Sequence, residues 1–302
     1  MANKQKHKTS RSSVSTIIAL IICLIAAVSY IASAFRSQVA HSNDAPVVAA
    51  QVADSAQQAA LPVSDVPVQL ERPRLLDERP AQIIEHMGYT VCYNAQWHLP
   101  NWVAYELTTA EADGESTRTD KFLPDPLVDG DPVVTSDYKG SGYDRGHMAP
   151  AADMRWSEQA MKESFYMTNM CPQNHNNNAG DWKDLEELVR DLANVYGNIF
   201  ICCGPIVNDA STTIGTVRKI VVPQAFYKVL LRQKADGSWT SIGFVMPNAA
   251  GNKPLMTYMH SVDEVEQMAN IDFFCNLPDS VEQIVESDYI VADWNVEKKS
   301  GK

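Results

Sequence analysis

An uncharged apolar run from Ile17 to Phe35, preceded by "MANKQKHKTSRSSVS" with Lys4, Lys6, Lys8 and Arg11 and no acid, sets the first limit on the fold. Such a segment meets a membrane before it meets a core. A run of ~20 apolar residues is long enough to span a bilayer, whereas a cleaved signal usually has a core of ~7–15. Against the anchor, Ala32-Ser33-Ala34 has the small-x-small form that a signal peptidase accepts. Both readings stay open for residues 16–35, signal peptide or membrane anchor. In either, residues 1–15 are a basic cytoplasmic flank and the rest is exported. The exported part is then membrane-anchored with an extracytoplasmic domain, or periplasmic or secreted after cleavage. Bulky Ile22 argues against lipidation at Cys23, and the run is not the amphipathic, Arg-rich segment of a transit peptide.

Residues 36–70 are mostly Ala, Val, Gln, Ser and Pro, with no aromatic residue between Ser37 and Pro67, the composition of a disordered linker. One domain is therefore expected over residues 71–295, with 296–302 a flexible tail. The whole chain carries a net charge of −12. Its first fifteen residues contribute four positive charges, so the remainder is strongly acidic. That excludes a protein that coats nucleic acid through long-range attraction. It leaves room for an enzyme that gathers a few arginines and a divalent cation at one phosphate. Of six cysteines, Cys23 lies in the apolar run, and the other five cannot all pair within a monomer.

Strand-like runs occur at "YTVCY" (89–93), "WVAYELT" (102–108), "NIFICCG" (198–204), "AFYKVLL" (225–231) and "WTSIGFVMP" (239–247), each bounded by turn-forming residues. Helical periodicity is clearest in "DWKDLEELVRDLANVYG", where Leu185, Leu188, Val189 and Leu192 form one apolar stripe and Gly197 suits the stop. A second helix is predicted to start at Ser261, with Glu264 closing a capping box. The sum is an α+β domain.

Two segments carry chemistry. In "GYDRGHMAP", His147 is the side chain best able to take a proton near neutral pH, Asp144 three residues earlier is placed to orient it, and Arg145 offers forked donors for a phosphate oxygen. Read alone, the tetrad is equally a turn with a surface ion pair. In "TNMCPQNHNNNAGDWKDLEELVRD", a helix beginning near Asn178 would put Asn178, Trp182, Glu186 and Arg190 on one broad face. Asn178 and Glu186 would then stand ~12 Å apart along the axis, so one would hold an ion directly and the other through water. An amide oxygen with retained waters suits Mg²⁺ and makes a poor zinc site. A slipped helix start would substitute Asn176 or Asn177. The plainer reading has Trp182 in the core and Glu186 paired with Arg190 in solvent.

Together, the DRGH tetrad and "NMCPQN…NAGDWKDLE" resemble the DNA/RNA non-specific endonucleases of the ββα-metal type, the endonuclease G and bacterial sugar-nonspecific nuclease type. The resemblance extends to "NWVAYELT", to Arg118 in "STRTDKF" and to "FICCGPI", over about residues 85 to 280. It implies an α+β ββα-metal (His-Me finger) fold with a central antiparallel sheet flanked by helices. It further implies an endonuclease that hydrolyses DNA and RNA and leaves 5′-phosphate ends. By the same resemblance, His147 is the general base, Asn178 the direct ligand of Mg²⁺ (with Mn²⁺ as substitute), and Glu186 the acid that binds the hydrated metal. Arg118, Arg145 and Arg190 would hold the scissile phosphate, Asp144 would support the histidine, and Asn169 and Gln173 would lie beside the substrate.

The expected partners are DNA and RNA, met through phosphates, the membrane if the N-terminal segment stays uncleaved, and a second copy of the chain in a homodimer. Two other classes compete. One is a catalytically inactive nuclease-like module of the cell envelope that binds nucleic acid or protein; the other is an envelope scaffold stapled by disulfides.

Overall fold

A computed structural model describes residues 69–296, all within the chain's second compact unit, residues 59–302. The basic flank, the apolar run, nearly all of the linker and the tail from residue 297 lie outside the described residues. Among the described residues no helix is long and apolar enough to cross a membrane. Leu70 and Val296, assigned from the sequence to linker and tail, are both buried in the core.

The centre is a seven-stranded antiparallel sheet. Its strands are β1 (Gln82–Glu85), β2 (Thr90–Asn94) and β3 (Leu99–Leu107). Outside this sheet, β4 (Asp144–His147) pairs with β5 (Met170–Gln173). The large sheet continues with β6 (Ile199–Ile206), β7 (Ala225–Gln233), β8 (Trp239–Pro247) and β9 (Met259–His260), in the spatial order β9-β8-β7-β6-β3-β2-β1. The five strand-like runs read from the sequence are β2, β3, β6, β7 and β8. β3, β6, β7 and β8 pair in unbroken register, with Val103 opposite Cys203 and Lys228 opposite Cys203 on its other side, while the β2–β3 pairing shifts between Cys92 and Tyr93.

These strands are apolar on both faces because each face is covered. On one face Phe226 and Leu230 of β7 join Val103, Tyr105, Ile201 and Phe244 in a core closed by the long helix. On the other, Tyr227, Val229 and Leu231 alternate into a second cluster. Helix α1 (His175–Ala179) leads into the long helix α2 (Asp181–Tyr196), which buries Trp182, Leu185, Leu188, Val189 and Leu192 and stops at Gly197. Helices α3 (Val262–Ala269) and α4 (Asp279–Glu286) cover the second face through Val262, Val265, Val281 and Val285. The capping box forms as read, with the Ser261 hydroxyl accepting from the Glu264 N–H and the Glu264 carboxylate accepting from the Ser261 N–H.

The helix start differs from the expectation. Asn178 does not open the helix that carries Trp182, Glu186 and Arg190; it belongs to α1, and the chain breaks at Gly180 (φ −113°, ψ −112°) before α2 begins. A side chain at residue 180 would place its Cβ 2.4 Å from the Asn176 carbonyl oxygen, so only glycine makes this corner. The axial ~12 Å separation drawn from one continuous helix therefore does not apply.

All five cysteines in the described region, Cys92, Cys171, Cys202, Cys203 and Cys275, are free thiols, and all but Cys275 are buried. No disulfide staples the described residues, which removes the support for a disulfide scaffold.

Candidate active site

The tetrad is a strand. Alternation along β4 puts Arg145 and His147 on one face and Asp144 and Gly146 on the other. The Arg145 guanidinium lies 4.2 Å from the Phe122 ring centroid, and His147 packs against Phe122 (5.7 Å) and edge-on against Phe165 (4.9 Å). Opposite Gly146 the chain has no room, since a Cβ there would stand 2.7 Å from the Gln173 Cβ. Hydrogen bonds at the end of the strand hold its neighbours: the Trp182 Nε1–H of α2 donates to the His147 carbonyl (3.3 Å), and the Met148 N–H donates to the Asn169 carbonyl (3.0 Å). Strand pair and helix are thereby locked into one ββα unit.

A cleft of about 840 Å³ opens over this unit, and His147, Asn178, Glu186, Asp144, Arg118, Arg145 and Arg190 all line it. In an acidic chain this is a local concentration of cations, to which Lys139 and Lys183 add. Burial, followed by the positive charge of Arg118 and then Arg145, pushes the His147 imidazole down to about 3, against the opposing pull of Asp120. It is therefore neutral at neutral pH, with an unprotonated ring nitrogen. Its Nε2 is buried with no hydrogen-bond partner, leaving Nδ1 as the nitrogen for a water in the cleft.

Asp144 has a different partner from the one read in the sequence. Its Oδ2 accepts from the Asn178 Nδ2 (2.9 Å) and lies 2.9 Å from His175 Nδ1. Three residues apart on a strand, Asp144 and His147 face opposite ways, so the carboxylate does not orient the imidazole. It orients the asparagine. Because a carboxylate only accepts, the amide nitrogen must face it and the carboxamide oxygen is left for the cleft.

Glu186, on the second turn of α2, is pushed up by burial to about 8; Lys228 opposes this, Asp153 adds to it, and Arg190 and Arg118 oppose it further. A carboxyl held at that edge gains from a cation beside it. The donors facing the cleft are thus hard oxygens, the amide of Asn178 and the acid of Glu186, with no thiol among the lining residues. That set fits a hydrated divalent ion of the Mg²⁺ type.

Two expected contacts are not made. Asn169 and Gln173 are fully buried and do not line the cleft. Asn169 donates to the carbonyls of Ala149 and Ser164 and accepts from the Ala149 N–H, bracing the loop behind His147. Gln173 donates to the Asn177 side chain (2.6 Å). Both shape the site from beneath, as their places on and just before β5 dictate, and neither can touch a substrate.

Other participants escaped the sequence reading. Asp153, fully buried, pairs with Arg190 (2.8 Å) and accepts from the Tyr105 hydroxyl (2.8 Å). Lys228, also buried, reaches the Met148 carbonyl (3.4 Å) and stacks on Trp182 (4.9 Å). Asp153 lies six residues beyond His147, a signal available in the sequence; Lys228 sits in an apolar strand with nothing to mark it.

The family model of the DNA/RNA non-specific endonucleases matches residues 75–280. The chain belongs to this family. Among similar nucleases, mitochondrial nuclease EXOG of Danio rerio is 36% identical over 217 residues, covering 66% of this chain and 62% of the relative. Mitochondrial endonuclease G of Bos taurus is 30% identical over 210 residues, covering 65% and 70% respectively. The chain thus spans less than two thirds of the length of that EXOG relative. A solved structure of an EndoG/EndoGI complex, concerned with the mechanism of EndoG inhibition, aligns with a TM-score of 0.62 at 30% identity over 66% of this chain and 89% of that one. The fold is the ββα-metal nuclease fold, a central antiparallel sheet with helices on both faces.

Proposed function

We propose that this protein is a metal-dependent endonuclease that hydrolyses phosphodiester bonds of DNA and RNA with little regard for sequence. The observation that carries the reading is the convergence of a neutral histidine, an amide and acid oxygen pair, and three arginines on one cleft. His147 takes the proton from the attacking water, contributing ~10²–10⁴-fold as a general base. Arg118, Arg145 and Arg190 face the non-bridging oxygens, where fixed cations stabilise the developing charge. Asn178 and, through water, Glu186 would hold Mg²⁺ or Mn²⁺. When bound there, the ion supplies stabilisation of charge on the departing 3′ oxygen. Contacts confined to phosphate carry no base information, so low selectivity and acceptance of both DNA and RNA follow.

The deciding experiment is nicking of supercoiled plasmid, and degradation of RNA, by the full chain in Mg²⁺, in Mn²⁺ and in EDTA, beside His147→Ala. Cleavage restricted to metal and to the intact histidine supports the reading; binding without cleavage in either metal makes the domain a non-cutting binder instead. Residues 16–35 are proposed to export the domain and, uncleaved, to anchor it, which fractionation with mass analysis of the native N-terminus decides. Pairing as a homodimer is a separate proposal, checked by sedimentation.

A further inference from the structure

On the face of the sheet opposite the cleft, Asp263 and Glu266 of α3 and Glu286 at the end of α4 turn one carboxylate oxygen each towards a common point, all within 4.8 Å of one another. Asp263 and Glu266 are three residues apart and so share one side of α3. The Phe273 N–H holds Glu266 in place by donating to its Oε1 (2.7 Å). Glu286 is only 3% exposed, and its Oε1 has no hydrogen-bond partner. Placing an acid there is costly unless something positive meets it. No arginine or lysine among the described residues fills that role: the charges acting most strongly on Glu286 are those of Glu266, Glu282, Asp263 and Asp272, all negative. Arg74 is engaged with Asp272.

We propose that Asp263, Glu266 and Glu286 form a Ca²⁺ site that ties α3 to α4 on the back of the sheet. The ligand chemistry selects the ion. Three carboxylates are hard oxygen donors, and three oxygens within 4.8 Å of one another share a point no more than ~2.8 Å from each, so shifts of a few tenths of an ångström at most bring all three to the ~2.3–2.6 Å ligand distance of Ca²⁺. Asp263 and Glu266 are half-buried, leaving one side open for the waters that complete six to eight ligands. Mg²⁺ demands octahedral geometry at ~2.1 Å and sheds water reluctantly, which the dry Glu286 side does not suit. The Ca²⁺ would supply the partner that Glu286 Oε1 lacks and cancel the mutual repulsion of the three acids.

The site is independent of the proposed cleavage, so its test reads stability. The full chain, stripped with chelator and dialysed, is scanned by calorimetry in EGTA, in MgCl₂ and in CaCl₂. Ca²⁺ at about 10 mM, above the range of the weaker extracellular sites, is expected to raise Tm by about 5 °C, with Mg²⁺ giving less. Glu286→Gln should abolish the rise while leaving plasmid nicking as it is, and Glu266→Gln, at a more exposed position, should do the same if the first variant folds poorly. Asn178→Ala, which alters only the cleft, should keep the full rise. No Ca²⁺ response in the unmodified chain, or a response that survives both Glu→Gln changes, or one lost in Asn178→Ala, overturns the proposal and leaves the three acids sharing protons.

Discussion

The Asp144 carboxylate holds the Asn178 amide nitrogen at 2.9 Å, joining the first residue of the DRGH strand to the residue proposed to bind the metal. Asp144 thus orients the proposed metal ligand, and the proposed base is held by other groups. Asp144→Asn and Asn178→Ala are both expected to raise the half-saturating Mg²⁺ concentration, by about 10–100-fold for the outer residue, with kcat at saturating Mg²⁺ little changed for Asp144→Asn. A metal titration of plasmid cleavage checks this. An unmoved Mg²⁺ curve with a lowered kcat would return Asp144 to the role of orienting His147. His175 shares the same carboxylate oxygen but is 72% exposed at its side chain, so His175→Ala should matter far less.

The low position of His147, about 3, has burial as its first cause and Arg118 as its second. Arg118→Ala should therefore raise the imidazole midpoint, which proton or carbon NMR of the ring reads directly. A histidine whose folded value lies below its unfolded value near 6.5 contributes stability that is present above pH 6.5 and lost as pH falls towards 3. Replacing it with a residue that does not titrate should make the fold more stable at pH 5 by about 1 kcal/mol, discounted because the ring borders an open cleft. His147→Asn melting higher than the parent at pH 5 and equally at pH 8 is the expected pattern. A ring midpoint near 6.5 in the parent would remove the basis for it.

Gly146 has its constraint in Gln173 across the strand pair. An alanine there would put its Cβ 2.7 Å from the Gln173 Cβ and closer still to its amide oxygen. Gly146→Ala should destabilise by about 1–3 kcal/mol, as overpacking does, and should cost activity by displacing both neighbours, Arg145 and His147. Since the obstacle is a side chain that begins at its Cβ, Gly146→Ala with Gln173→Gly should recover much of the stability. Denaturation of the single and double variants decides. Additive losses would mean that the glycine is needed for its backbone alone.

The sequence was most informative where period and punctuation coincide. The apolar stripe of α2, the Ser261–Glu264 cap and the five long strands were legible because each is a local pattern with its own start and stop. The tetrad was legible as chemistry but not as a strand, since four residues including a glycine carry no period, and without the strand the facing of Asp144 could not be read. The break at Gly180 was hidden for a related reason: Asn178, Trp182, Glu186 and Arg190 keep helical spacing across it, and only the close approach of residue 180 to the Asn176 carbonyl reveals the corner. Asn169 and Gln173 were drawn towards the substrate because polar residues near a catalytic motif invite it, whereas both satisfy buried backbone or amide groups. Lys228 was beyond sequence reading, because its meaning depends on Glu186 and Trp182, brought near by the pairing of distant strands.

Arg190 depends on Asp153 in the way that Asn178 depends on Asp144. The Asp153 carboxylate is fully buried, and it receives both the Arg190 guanidinium at 2.8 Å and the Tyr105 hydroxyl at 2.8 Å. Removing one partner of such a pair leaves a buried charge, at a cost of about 3–5 kcal/mol, whereas the same pair at the surface would contribute ~0–1 kcal/mol. Arg190→Ala, which leaves the buried carboxylate unpaired, is accordingly expected to lower stability by the larger amount, while Asp153→Ala, which leaves a guanidinium at the cleft and the buried Tyr105 hydroxyl, should cost about 1–3 kcal/mol and lower cleavage by freeing the arginine from its aim into the cleft. Arg190→Ala should lower cleavage with an unchanged Mg²⁺ half-saturation, in contrast to Asn178→Ala. Metal titrations and denaturation curves on the three variants separate the roles. If Arg190→Ala and Asn178→Ala shift the Mg²⁺ curve equally, the ligand has been misplaced; if Asp153→Ala costs no more than a surface pair, the arginine is aimed by the cleft itself rather than by the buried acid.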